Sequence, residues 1–178
     1  MGFFRDRKLS VLWAAVRIWL GWQWLEAGLE KIGSPVWTGD KAGVAVGGFL
    51  QGALAKATGE HPLVQSWYAD FIKAVALPQA KLFSYLVAYG EVLVGIALIL
   101  GTFTVFAAVM GALMNLNYML AGTTSTNPVM YTLAILVIIA GANAGLIGLD
   151  YWLRPFVTSV FNGNRKRAGR MPRSRLAN

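Results

Sequence analysis

The sequence predicts an all-α fold: an integral membrane four-helix bundle, both termini cytoplasmic, with amphipathic helical structure in a long outer loop between the first two membrane helices. Three observations predict it. The 178 residues are 56% hydrophobic and only 13% charged, a balance that a soluble domain of this size does not carry. Four segments are apolar and long enough to cross ~30 Å of hydrocarbon at ~1.5 Å per residue. The excess charge, +8 in all, sits at the two ends of the chain.

The first segment, 9–29, follows Arg5, Arg7 and Lys8. That start imitates a secretory signal, but the length of the segment, its internal Arg17 and the lack of a small-residue cleavage site predict that it is retained. The other segments are 82–100, 103–121 and 129–149. Gly101 and Thr102 make a tight connection between the second and third, so these two run antiparallel. A polar stretch from Gly122 to Asn127 precedes the fourth, where Asn127 reads as an N-cap and Pro128 as the first helical residue. Short basic flanks stay on the cytoplasmic side, which places both termini inside and the 31–81 loop outside.

Within that loop, Val64, Trp67, Tyr68, Phe71, Ile72 and Val75 recur at helical spacing, and Pro78 ends the pattern. This predicts an amphipathic helix over 62–77 lying on the membrane face or capping the bundle. The Gly- and Ala-rich stretch 41–59 is expected to hold a second short helix. Residues 1–161 thus form one membrane domain and 162–178 a basic cytoplasmic tail. Tyr151, Trp152, Arg154 and Phe156 read as an interfacial belt, and Arg165, Lys166 and Arg167 as contacts to anionic lipid headgroups rather than to nucleic acid.

No cysteine is present, which excludes disulfides, a thiolate nucleophile, an iron–sulfur cluster held by this chain and covalent haem. Charges inside hydrocarbon are costly and therefore informative. Counted from the inner ends of helices 1 and 2, Arg17 and Glu91 lie at similar depth, which predicts a buried ion pair. That pair is either a register device or part of a polar ligand site. On helix 1, Trp19, Trp22, Gln23, Glu26 and Glu30 share one side, and Arg17, Gly21, Trp24 and Gly28 the opposite one. Either Arg17 and Glu91 line the interior while Glu26 and Glu30 form a second, outer site, or Glu26 faces inward and Arg17 meets a partner subunit. Helix 3 carries Gly111, Asn115, Tyr118 and Gly122 on one stripe, with Asn117 elsewhere. Helix 4 carries Gly141, Gly145 and Gly148 as a close-packing pattern, and Asp150 is expected to pair with Arg154. A lone His61 does not make a metal site, and none is expected.

These residues resemble the DoxX/DoxD family of small four-helix bacterial and archaeal membrane proteins. The resemblance rests on the internal Arg17, the Gly28-Leu-Glu-Lys31-Ile ending of helix 1, Gly47-Gly-Phe-Leu50 and Trp67-Tyr in the loop, Tyr89-Gly-Glu91-Val-Leu-Val-Gly95 in helix 2, Asn115 and Asp150. It implies a cell (inner) membrane location and a link to quinone-dependent oxidation, as in the membrane subunit of a thiosulfate:quinone oxidoreductase. It also implies other membrane or membrane-associated redox subunits as partners. Quinone is then the expected ligand, with no covalently bound cofactor. A quinone ring needs an apolar slot, donors near its carbonyls and a protonatable group; Arg17, Glu91, Asn115, Tyr118, Tyr89 and Trp22 are the candidates. No haem-ligating histidine pair or dinucleotide fingerprint appears in the chain. Two readings follow: a subunit of a quinone-linked oxidoreductase, or a non-catalytic accessory or assembly subunit of a larger respiratory or photosynthetic complex.

Overall fold

The computed structural model describes residues 6–153, and these are all-helical. Six α-helices follow in order: α1 Ser10–Ile32, α2 Val44–Ala55, α3 Ser66–Phe71, α4 Ala80–Leu100, α5 Thr104–Leu120 and α6 Asn127–Ala140. The basic tail, with Arg165, Lys166 and Arg167, and the belt residues Arg154 and Phe156 lie outside the described residues.

The long helices α1, α4, α5 and α6 pack side by side and alternate in direction. The loop between α1 and α4, holding α2 and α3, lies at one end, here the loop end. Gly101, the start of α1 and the segment after α6 lie at the other, the turn end. Among the described residues, two helical stretches are long and apolar enough to cross a membrane, Ala80–Leu100 and Asn127–Gly145. The α1 helix has the length, 23 residues, but carries Arg17, Glu26, Glu30 and Lys31. The 17-residue α5 is apolar but shorter.

The tightest pairing is α1 against α4, and glycine permits it. A Cβ on Gly95 would fall 2.6 Å from the Leu25 amide nitrogen, and one on Gly28 would fall 2.7 Å from that of Val92. Backbone meets backbone here, so no side chain can yield. Gly95→Ala is therefore expected to lower the Tm of the detergent-solubilised chain by several degrees. Alanine at Gly90 on the same helix has ordinary clearance, 3.7 Å to the Met114 sulfur, and is expected to keep or gain about 1 kcal/mol of helix propensity. Equal thermal unfolding of the two variants would refute the close approach.

The inward face of α1 is Trp13, Ala14, Arg17, Leu20, Gly21, Trp24 and Gly28. Trp19 and Trp22, on the opposite side, are exposed on the apolar exterior. The main core joins Trp13, Leu20 and Trp24 to Val94 and Leu98 of α4, Ala108 of α5 and Val137 of α6.

A second core lies at the loop end and joins α2 and α3 to the bundle through Val46, Leu50, Val64, Tyr68, Ile72 and Ala121. The helix expected at 62–77 is α3 followed by a π-helical turn, Ile72–Ala76. Only part of its apolar stripe is buried. Val64, Tyr68 and Ile72 face the core, whereas Trp67, Phe71 and Val75 are exposed. The loop is fastened by Ser84 Oγ donating to the Trp37 carbonyl (2.6 Å) and by Lys56 Nζ donating to the Gly122 carbonyl (2.9 Å).

Two local expectations change. The helix expected over 129–149 stops at Ala140, because Gly141 adopts φ 58°, ψ −124° and starts a short 3-10 turn to Gly145. Gly141 and Gly145 therefore do not share one α-helical packing face. At the start of α6, Thr126 is the N-cap and Asn127 already belongs to the helix, one residue earlier than the sequence suggests. Asp150, whose expected partner Arg154 lies outside the described residues, accepts through its two carboxylate oxygens from the amides of Phe103 (2.7 Å) and Thr104 (2.9 Å). The oxygens thereby satisfy orphan donors at the start of α5.

Candidate functional site

Arg17 and Glu91 do not pair. Gly21 abuts Gly95 and Gly28 abuts Glu91 and Val92. Arg17, one turn before Gly21, thus lies against the last turn of α4, while Glu91 sits two turns (about 11 Å) closer to the loop end. Counting from the inner ends failed because the helices are not flush: the first turns of α1 run on past Gly101. Arg17 instead donates to three backbone carbonyls, through Nη1 to Leu98 (2.6 Å) and Ile99 (3.3 Å) and through Nη2 to Ile147 (2.6 Å). These include C-terminal carbonyls of α4 that no intrahelical N–H can reach. Gly101, at φ 67°, leaves room for the guanidinium, which a Cβ there would strike. Arg17 holds the turn end together and is not among the residues that line the loop-end cavity.

Glu91 has different partners. Its Oε2 accepts from Lys31 Nζ at 2.7 Å and its Oε1 from the Tyr118 hydroxyl at 2.7 Å, so α4, α1 and α5 meet at one carboxylate. Glu91 is 1% exposed and Lys31 20%. The ammonium also donates to the Ala27 carbonyl (3.3 Å) and stands 5.2 Å over the Trp37 ring. Phe49 of α2 packs edge-on against the Tyr118 ring.

This carboxylate lies on the wall of a cavity of about 730 Å³ at the loop end. Apolar and aromatic side chains make most of the lining, among them Trp24, Phe49, Phe83, Val87, Met114 and Met130. Glu26 and Glu30 line the same cavity and are exposed, which marks its mouth. Arg17 and Glu91 both lie in the interior, as in the first arrangement drawn from the helix 1 stripes, but they do so at different levels, and the outer acids Glu26 and Glu30 line the same cavity as Glu91. Tyr68 reaches the cavity from α3. Its hydroxyl, pushed above the usual phenol range by burial, donates to the Asn117 side chain (3.1 Å).

Asn115 is the most telling residue of the lining. It is fully buried, and neither Oδ1 nor Nδ2 has a hydrogen-bond partner. Trp24 Nε1 is buried and unpartnered as well, packed over Gly111, one turn before Asn115 on α5. Native interiors satisfy almost all such groups. Trp24 and Asn115 thus bring unpartnered polar groups to the lining of one largely apolar cavity.

Of the other candidates, Tyr89 is exposed on α4, stacked 6.3 Å from Tyr85, and Trp22 is exposed on α1. Neither is among the cavity residues. The sequence reading missed Trp24 and Lys31 as members. Trp24 shares a helix 1 stripe with Arg17, Gly21 and Gly28, and the sequence leaves open whether that stripe faces inward, as it does. Lys31 was visible as the cation closing helix 1, and it becomes Glu91's partner once the register is taken from the facing glycines. His61 is exposed in the loop before α3, and among the described residues no three metal-ligating side chains come together.

Among the described residues, fold and site together define a class: an all-helical protein with two helical stretches long and apolar enough to cross a membrane, an apolar cavity, a buried carboxylate and unpartnered donors. A family model described as the thiosulfate:quinone oxidoreductase (TQO) small subunit DoxD matches residues 13–166. The chain belongs to the DoxD family, a family of membrane proteins. No curated protein and no solved structure matches it.

Proposed function

We propose that this chain is the quinone-binding membrane subunit of a thiosulfate:quinone-type oxidoreductase and that it works beside a partner subunit. The observation that carries the reading is Asn115, with both polar atoms unsatisfied on the wall of the cavity. A quinone suits that wall: its flat ring is apolar, and its carbonyls accept from Asn115 Nδ2 and Trp24 Nε1. Glu91 supplies a protonatable group in the same cavity. The family name supplies the substrate class.

In this reading α1, α4, α5 and α6 all cross the membrane. The basic ends set both termini on the cytoplasmic side of a bacterial or archaeal cell membrane, with lipid headgroups meeting the tail. The cavity then opens toward the outer face, beneath α2 and α3.

Purified alone in lipid nanodiscs, the full chain is expected to bind a short-tail benzoquinone saturably, with quenching of tryptophan fluorescence. It is expected not to reduce that quinone with thiosulfate until its co-purifying partner is present. Absence of binding, together with co-purification with haem or chlorophyll proteins, would replace this reading by the accessory role.

A further inference from the structure

Resting on that reading of the cavity, we infer that Glu91 is the residue through which a bound ring exchanges protons with water, with Lys31 as the inlet and Tyr118 as the positioning residue. Three observations place the roles. Glu91 is buried on the cavity wall with both oxygens engaged. Lys31 touches Glu91 directly and is itself part-exposed, so one side chain spans the step from mouth to carboxylate. Tyr118 lies one helical turn from Asn115 on α5, so a ring held at Asn115 is about one turn from the carboxyl group that Tyr118 orients.

The other titratable groups in the cavity are Glu26 and Glu30 of α1 at the mouth and Tyr68 of α3. The α6 helix adds none to the lining. Two acids at the mouth attract protons toward Lys31.

Reduction of a quinone to a quinol takes two electrons and two protons. The electrons come from a reduced sulfur oxyanion, two of which join through a new sulfur–sulfur bond as they are oxidised. For each proton, the Lys31 ammonium gives its proton to Glu91 Oε2. The Glu91 carboxylic acid then releases a proton to a ring oxygen, and the Lys31 amine recovers one from water at the mouth. The pair begins and ends as ammonium and carboxylate, so no net charge is left in the apolar wall, where an unpaired charge is costly.

The test uses the full chain with its co-purifying partner in lipid nanodiscs, with a bound short-tail benzoquinone and thiosulfate as electron source, following quinol formation by absorbance. Glu91→Gln is expected to keep quinone affinity and to slow reduction by about 100-fold, the usual scale of a lost general acid. It is also expected to abolish the pH dependence and the D₂O effect on the rate. Glu91→Asp should restore most of the rate, and Lys31→Met should slow it at every pH. Reduction by Glu91→Gln at the wild-type rate, with quinone still bound, overturns the proton role and leaves the site intact. An unchanged rate in Lys31→Met overturns the inlet. Failure of the wild-type chain to bind quinone overturns the site reading and this inference with it.

Discussion

Leucine in place of Asn115 is expected to leave the empty protein as stable as before, or slightly more so, while weakening quinone binding by about 10- to 100-fold. The two effects have one origin. Asn115 is fully buried and neither side-chain polar atom has a partner. Desolvation of the amide is therefore uncompensated in the empty chain, and an apolar side chain of similar shape removes that cost. A bound carbonyl compensates it in the wild type and finds no donor in the variant; losing a buried hydrogen bond is worth about 1–3 kcal/mol. Thermal unfolding of the detergent-solubilised chain and a quinone titration read the two quantities separately. A fall in Tm of several degrees with unchanged affinity would make Asn115 a packing residue.

Arg17→Met is expected to have the largest effect on folding. The substitution leaves the carbonyls of Leu98, Ile99 and Ile147 without their side-chain donor in an apolar setting, a loss of about 3 kcal/mol or more. Arg17→Lys should not restore it, because one ammonium cannot reproduce the guanidinium fork that reaches two backbone segments. Glu91→Gln alone should fold, and the double variant should be no more stable than Arg17→Met. Additivity is expected for sites that share no partner. Recovery in the double variant would revive the ion pair that the sequence suggested. The readout is the yield and Tm of monodisperse protein in detergent.

Much of the helical framework was legible because hydrophobic run length and turn residues are local signals. Gly101 ends α4 at the residue the sequence marked, and Pro78 stands just after the π-helical turn. Position 141 shows the limit: a glycine continues or ends a helix according to its φ, and composition does not give φ. Of the site, Glu91, Asn115 and Tyr118 were visible as polar groups on apolar helices, and they do share one cavity. Arg17 had the same signature and a different purpose, because a guanidinium serves backbone carbonyls as readily as a carboxylate. What separated them was helix register, a long-range property set by where Gly21, Gly28 and Gly95 let α1 and α4 touch. Lys31 and Glu91, sixty residues apart in sequence, become neighbours only through that register.

The most direct test of the central claim is to locate the ligand. A benzoquinone bearing a short photoreactive tail, illuminated with the full chain in nanodiscs and mapped by peptide mass spectrometry, should label α5 around Asn115 and α1 around Trp24, and unmodified quinone should suppress the labelling. Labelling confined to the exposed faces around Trp22 and Tyr89, unaffected by competitor, would contradict the account.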